Sequence, residues 1–263
     1  MTAPLFHLAA GSLDDADVGS VVVLDGPEGH HAATVMRMGP GEQVQLSDTQ
    51  RLRAEGTVTA ADQGQLSVEL TALHREPDLR PHLVLVQALA KDKRDLQAIE
   101  SAAELGVDAI IPWEAERSVA RWKAGREAKK HAEWVSTVTA AAKQTRRTAI
   151  PQVEQLHTTA DYLRRIQQDQ PRPAVVVLHE RERSSLRAAL EAHGLDPTGQ
   201  RESGVDQLHL VVGPEGGITD REIEQLTAAG ARTARLGPTV LRSSTAGPAA
   251  LAAAQLLLGR WEW

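Results

Sequence analysis

The stretch Leu208–Leu226, LHLVVGPEGGITDREIEQL, constrains the fold more than any other part of the chain. An apolar run, Leu208 to Val212, leads into Gly213-Pro214-Glu215-Gly216-Gly217. Thr219 and Glu222 then form a T-x-x-E capping box, with Ile218 and Ile223 at the hydrophobic-staple positions around it. Ile223 and Leu226 continue one apolar face, and Gly230 is placed to close the helix in the left-handed conformation. The unit reads as strand, glycine turn, helix. Two readings of the turn stay open: a tight connection, or a cradle whose amides and bare Cα positions receive a ligand. The spacing matches neither a P-loop nor G-x-G-x-x-G, and Glu215 would repel phosphate.

The flanking chain repeats the same alternation. Leu83–Leu89 is a solid apolar run, followed by an amphipathic helix over Lys91–Leu105 with Leu96, Ile99, Ala103 and Leu105 turned inward and Gly106 as its stop. A strand over Val107–Pro112, a long helix within Arg126–Thr148, a strand at Val175–Leu178 and a helix over Ser184–His193 capped by Gly194 come next. Asp196–Gln207 reads as a polar loop, and a further strand ends at Leu236. The last helix, Ala246–Gly259, is apolar nearly all round, which predicts burial in the core or at a subunit interface. Unbroken apolar strands between helices imply an α/β fold with a parallel sheet covered on both faces.

Residues 1–73 have a different pattern. Val21–Leu24, the Val44/Leu46 pair and the Leu66/Val68/Leu70 series read as short strands, with a turn at Asp62-Gln63-Gly64. Glu28–Met38 is a short helical candidate stopped by Gly39-Pro40-Gly41. A compact barrel-like module fits so few apolar residues. The polar, proline-containing segment 74–82 reads as a linker, which leaves 83–263 as the second domain.

Composition narrows the function. The chain has 263 residues and a net charge of −6, so nucleic acid must be met by local basic patches rather than by the whole surface. Without cysteine, disulfides and thiolate metal sites are excluded, and the histidines show no metal-ligand spacing; no metal is expected. No apolar run approaches the roughly 18 residues of a membrane span, and no apolar leader is visible, so a cytoplasmic protein is expected.

Four segments in order, VMRMGPGEQVQL (35–46), KDKRDLQAIESAAELGVDAIIPWEAERS (91–118), LVVGPEGG (210–217) and LGPTVLRSSTA (236–246), resemble the 16S ribosomal RNA (uracil-N3) methyltransferases of the RsmE type. The resemblance spans nearly the whole chain. It implies a PUA-like β-barrel for RNA over 1–73 and a SPOUT methyltransferase domain with a C-terminal trefoil knot over 83–263. It further implies S-adenosylmethionine as methyl donor, 16S rRNA in the small ribosomal subunit as partner, and a homodimer.

Carried over by position, the cofactor residues are Leu178 and His179; Gly213, Pro214, Glu215, Gly216 and Gly217; and Leu236, Gly237, Val240, Leu241, Arg242 and Ser243. All three groups follow apolar strands, where open α/β sheets bind ligands. Leu236 and Leu241 are suited to sandwich a purine. Two departures stand out. The family's T-E-T after VLR is Ser243-Ser244-Thr245 here, so an acidic residue has become Ser244. Its E-Q-S/C-G-R is Lys143-Gln144-Thr145-Arg146-Arg147, with Arg146 in place of glycine.

Uracil N3 is a poor nucleophile until it loses its proton, so the enzyme must align it and stabilise charge on O2–N3–O4. Arg242 is the catalytic candidate, since a guanidinium stays charged and offers a planar donor fork; binding an RNA phosphate is its other reading. No general base is identifiable, and Glu215 fits bracing its own loop better. Candidate RNA contacts are His31, Arg37, Lys91, Lys93, Arg94, Arg146 and Arg147, and a mostly basic stretch runs from Arg117 to Lys130. Two other functions stay open: a SPOUT enzyme acting on another base or a ribose 2′-hydroxyl, and a non-catalytic RNA-binding assembly factor.

Overall fold

The structure is a computed structural model and describes residues 3–195 and 204–261. Most of the expected polar loop, residues 196–203, thus lies outside the described residues. The chain divides into two compact units: Met1–Asp78 with Ala142–Ile150, and Leu79–Ala141 with Pro151–Trp263.

Unit 1 contains β1 (Leu5–His7), β2 (Val21–Leu24), α1 (Gly26–His30), β3 (Gln43–Ser47), β4 (Leu52–Asp62) and β5 (Gln65–Arg75). The sheet order is β1-β3-β4-β5-β2, antiparallel except for the β1–β3 pair. Strand alternation sends Val44, Leu46, Leu52, Ala54, Leu66, Val68 and Leu70 into one core with Phe6 and Leu24. The β4–β5 hairpin turns at Gln63-Gly64, both at positive φ (46° and 80°), as a right-twisted two-residue turn requires. The helical candidate 28–38 starts earlier, at Gly26, and widens into a π-helical turn at His31–Val35. β1 and the eleven-residue β4 were not foreseen, and β5 continues through Arg75.

Residues 142–150 group with unit 1 although they lie far along the chain. Their backbone is held by side chains of the sheet. Ser47 Oγ donates to the Thr148 carbonyl (2.6 Å), and Arg53 donates to Thr148 Oγ1 (2.9 Å) and to the Arg146 carbonyl (2.7 Å). His7 Nε2 lies 2.8 Å from the Arg147 carbonyl, and the Ile150 amide donates to Thr49 (3.0 Å). Lys143 pairs with Glu28, and Thr148 donates to Glu76.

Unit 2 runs β6 (His82–Ala88), α2 (Arg94–Glu104), β7 (Ala109–Glu114), α3 (Glu127–Gln144), β8 (Gln152–Val153), β9 (His157–Thr158), α4 (Thr159–Gln168), β10 (Ala174–Leu178), α5 (Leu186–Glu191), β11 (Gln207–Val212), α6 (Asp220–Ala228), β12 (Arg232–Ala234) and α7 (Ser243–Leu257). The sheet is entirely parallel, ordered β12-β10-β11-β6-β7-β8, with β9 also on β7. Leu83, Leu85, Val176, Leu208 and Leu210 face a cluster with Ile99, Val138, Leu190 and Leu251 from α2, α3, α5 and α7. Their neighbours Val84, Val86, Val175, Val177 and Val211 face Tyr162, Ile166 and Leu226 from α4 and α6. Both faces are covered, as unbroken apolar strands require. Each fully buried leucine here contributes about 2 kcal/mol.

Three helix ends differ from expectation. The α2 helix starts at Arg94 rather than Lys91; within it Ile99 and Ala103 are buried and Leu96 packs half-buried, while Leu105 is the half-buried C-cap. The α3 helix stops at Gln144 instead of reaching Thr148, because Arg146 takes a left-handed φ of 55° and the Arg147 amide turns back to the Ala142 carbonyl. The α7 helix starts at Ser243, before Gly247-Pro248, which lie inside it. Pro248 sits only one and a half turns in, so its missing N–H removes a single hydrogen bond near the end. Among the described residues no helix is long and apolar enough to cross a membrane, and no metal-binding cluster is present.

Candidate cofactor cleft

The capping box at the start of α6 is formed as its spacing requires. Thr219 Oγ1 accepts from the Glu222 amide (3.1 Å), and Glu222 accepts from the Thr219 amide (3.0 Å). Glu222 is fully buried and does more than cap. It also accepts from the Glu116 amide (2.9 Å) and Thr159 Oγ1 (2.8 Å), so one carboxylate joins the start of α6, the start of α4 and the segment after β7.

Ahead of this cap, the Gly217 amide closes the turn onto the Pro214 carbonyl (2.9 Å), with Gly217 at φ 73°. A Cβ on Gly213 would lie 2.5 Å from Ile218 Cγ1, and one on Gly216 would lie 3.2 Å from the Arg117 Cβ and carbonyl oxygen. The turn is therefore pressed between the staple residue and the segment after β7, and side chains are excluded there. Glu215 accepts from the Lys91 amide (3.2 Å) and the Arg94 guanidinium (3.4 Å). It ties the turn to the start of α2 rather than bracing its own loop, and its carboxylate is already engaged.

The loops after β10 and β12 are tied together. The His179 amide donates to Ala234 (2.9 Å), the Arg235 amide to Ser184 (2.8 Å). The Thr233 hydroxyl, with the amides of Ser184 and Arg183, holds the Glu182 carboxyl below its usual range. After β12 the chain passes Leu236 and Leu241 and enters α7 with Arg242 as N-cap in extended conformation.

These three loops line one cleft of about 500 Å³, within the range of small-molecule sites. It collects Leu178 and His179; Gly213, Pro214, Glu215, Gly216 and Gly217; and Leu236, Val240, Leu241, Arg242 and Ser243. Of the expected cofactor residues only Gly237 does not line it. Apolar wall comes from Leu178, Val212, Ile218, Leu236 and Leu241, and the glycine turn lines the same cleft. Arginines 94, 117, 181, 235 and 242 line the same cleft with Glu180 and Asp220. Among the described residues no ion pair engages Arg181, Arg235 or Arg242.

Sequence reading missed Glu180, Arg181, Asp220, Arg235 and Thr239 as lining residues, although each adjoins a loop that leaves a parallel strand. Of the RNA candidates, Arg94 stands in the cleft wall. Lys91 and Lys93 are exposed beside it without lining it; Lys91 is engaged through its backbone. His31, Arg37, Arg146 and Arg147 are in unit 1, where His31 and Arg37 are exposed.

A parallel α/β unit with a nucleoside-sized cleft beyond its strand ends, preceded by a β-rich unit, defines a class. The chain matches the RNA methyltransferase domain over residues 77–255 and the RNA methyltransferase PUA domain over 24–71. It belongs to the ribosomal RNA small subunit methyltransferase E family. The relative of that name from Mycobacterium bovis is 43% identical over 249 residues, covering 94% of this chain and 90% of its own. That from Bacillus subtilis is 30% identical over 250 residues, covering 94% and 93%. The crystal structure of the Neisseria gonorrhoeae protein, bound to S-adenosyl methionine, superposes with a TM-score of 0.80 at 25% identity, covering 99% of this chain and all of that one.

Proposed function

We propose that the protein transfers a methyl group from S-adenosylmethionine to N3 of one uridine in 16S rRNA of the small ribosomal subunit. One observation carries this reading: loops from three parallel strands converge on a single cleft with Arg242 at its edge. The relatives' name and the methyl donor in the gonococcal structure support it.

The cleft chemistry fits the donor. Leu236 and Leu241 offer apolar faces for adenine, and Gly213 and Gly216 let the backbone of the turn approach a ligand with no Cβ in the way. When bound, S-adenosylmethionine supplies the electrophilic methyl group. Arg242 stabilises the negative charge that develops on O2–N3–O4 as the uracil loses its N3 proton. Its lack of an ion pair among the described residues leaves the guanidinium available for that role. Extruding the uridine into the cleft costs a few kcal/mol, and contacts to flanking RNA offset this.

In this reading residues 1–73 form a PUA-like barrel, 74–82 a linker, and 83–263 a SPOUT domain with the trefoil knot. The enzyme acts in the cytoplasm as a homodimer. His31, Arg37, Arg146 and Arg147 serve RNA from unit 1, and Lys91, Lys93 and Arg94 from unit 2. A net charge of −6 favours the assembled subunit, with its protein components, over free RNA.

Calorimetric titration with S-adenosylmethionine tests the cleft. Saturable one-site binding, lost in Gly213→Val, is the expected result. Absence of binding overturns the assignment and favours the assembly-factor reading.

A further inference from the structure

Beneath the floor of the cleft lies a buried polar side chain that the proposed reaction does not use. Gln87, near the carboxyl end of β6, is fully buried. It stands beside Val212, the last residue of β11 before the glycine turn, and beside Pro112 of β7. Its Nε2 donates to Ser243 Oγ (2.9 Å), across 156 positions of chain, and to the Ala88 carbonyl (3.1 Å). Its Oε1 is buried with no hydrogen-bond partner among the described residues. With one of its own polar atoms left unsatisfied, the glutamine is a costly way to fill this place, and its bond to Ser243 is what it gives in return.

Ser243 is the first residue of α7, lines the cleft, and follows Arg242 directly. Arg242, the N-cap, has no side-chain cap bond among the described residues; its carbonyl accepts from the amides of Thr245 (2.8 Å) and Ala246 (2.9 Å). One turn further, Gly247 packs so closely on β6 that a Cβ would lie 2.9 Å from Leu85 Cδ1 and 3.5 Å from Gln87 Oε1. The start of α7 is thus set against β6 by a close glycine contact and one side-chain hydrogen bond. The bond acts on the residue next to Arg242.

We infer that Gln87 is a positioning residue: through Ser243 it fixes the first turn of α7 and so the place of Arg242 at the reacting base. The role in turnover rests on the methyl-transfer reading; the tether does not. Displacement of a reacting group by about 1 Å costs up to ~100-fold in rate, which sets the scale of the effect.

The test compares the full-length protein with Gln87→Leu, Ser243→Ala and the double variant. Three quantities are read: thermal midpoint, amide exchange of residues 242–250, and steady-state methylation of small subunits. In Gln87→Leu the midpoint stays within about 4 °C, exchange at Thr245 and Ala246 quickens, and kcat falls about tenfold or more with KM for S-adenosylmethionine unchanged. The double variant is no slower than the worse single one, as two partners in one bond require. Unchanged exchange at Thr245 and Ala246 overturns the tether. Unchanged kcat in an active enzyme, or additive losses in the double variant, overturns the positioning role. If the wild-type protein methylates nothing, the functional reading fails by itself and the exchange measurement still decides the tether.

Discussion

Single residues carry more of this structure than their local motifs announce. Glu222 satisfies a local capping rule, yet its buried carboxylate also gathers Glu116 and Thr159 from distant segments. Glu222→Ala leaves several part-buried donors without their acceptor at once, so we expect a loss of about 3 kcal/mol, read as a thermal midpoint lowered by roughly 6–12 °C. Thr219→Ala, which removes one cap, lowers it by only a few degrees. A second buried group makes stability depend on pH. His209 of β11 lies between Tyr162 Oη and Gln207 Oε1, both 2.9 Å away, and burial pushes its pKa down to about 3. Its folded value lies below the unfolded value of about 6.5, so the unfolded state binds the extra proton. Its contribution is present above pH 6.5 and is lost as pH falls toward 3. We expect the midpoint to drop between pH 7 and pH 4.5, and His209→Gln to flatten that slope whatever it does to the midpoint at pH 7.

At the scale of elements, what was legible was what is local. The capping box, the staple, the glycine turn and the unbroken strands each specify themselves within a few residues, and these build the cleft. The unforeseen pieces lack a local signature. Two-residue strands such as Gln152–Val153 have no period, and Pro248 hid the start of α7 because proline reads as a stop until its closeness to the helix end is known. The end of α3 is the clearest case. Glycine would have marked the left-handed position, but Arg146 occupies it, at a cost of roughly 1 kcal/mol. Residues 145–150 then follow the sheet of unit 1, directed by Ser47, Arg53 and His7, all distant in sequence. We expect Arg146→Gly to stabilise the protein by up to about 1 kcal/mol in denaturant titration. Weaker binding to small subunits in the same variant would mean that the arginine is kept for RNA.

On the scale of the whole molecule, the chain joins a β-rich unit matching an RNA methyltransferase PUA domain to a parallel α/β unit matching an RNA methyltransferase domain. The second unit concentrates apolar wall, a glycine turn and several arginines in one cleft beyond its strand ends. Which nucleotide enters depends on RNA shape and on contacts that no single motif encodes. Ser244 is buried and Glu215 is engaged with Arg94, and in the proposed reading Arg242 stabilises the developing charge. The most direct measurement is mass mapping of N3-methyluridine in small-subunit rRNA from cells lacking the protein, then supplied with wild type or Arg242→Ala. The account predicts one methylated uridine missing, restored by the wild type and not by Arg242→Ala at equal protein level. Intact methylation without the protein, or full restoration by Arg242→Ala, would contradict it.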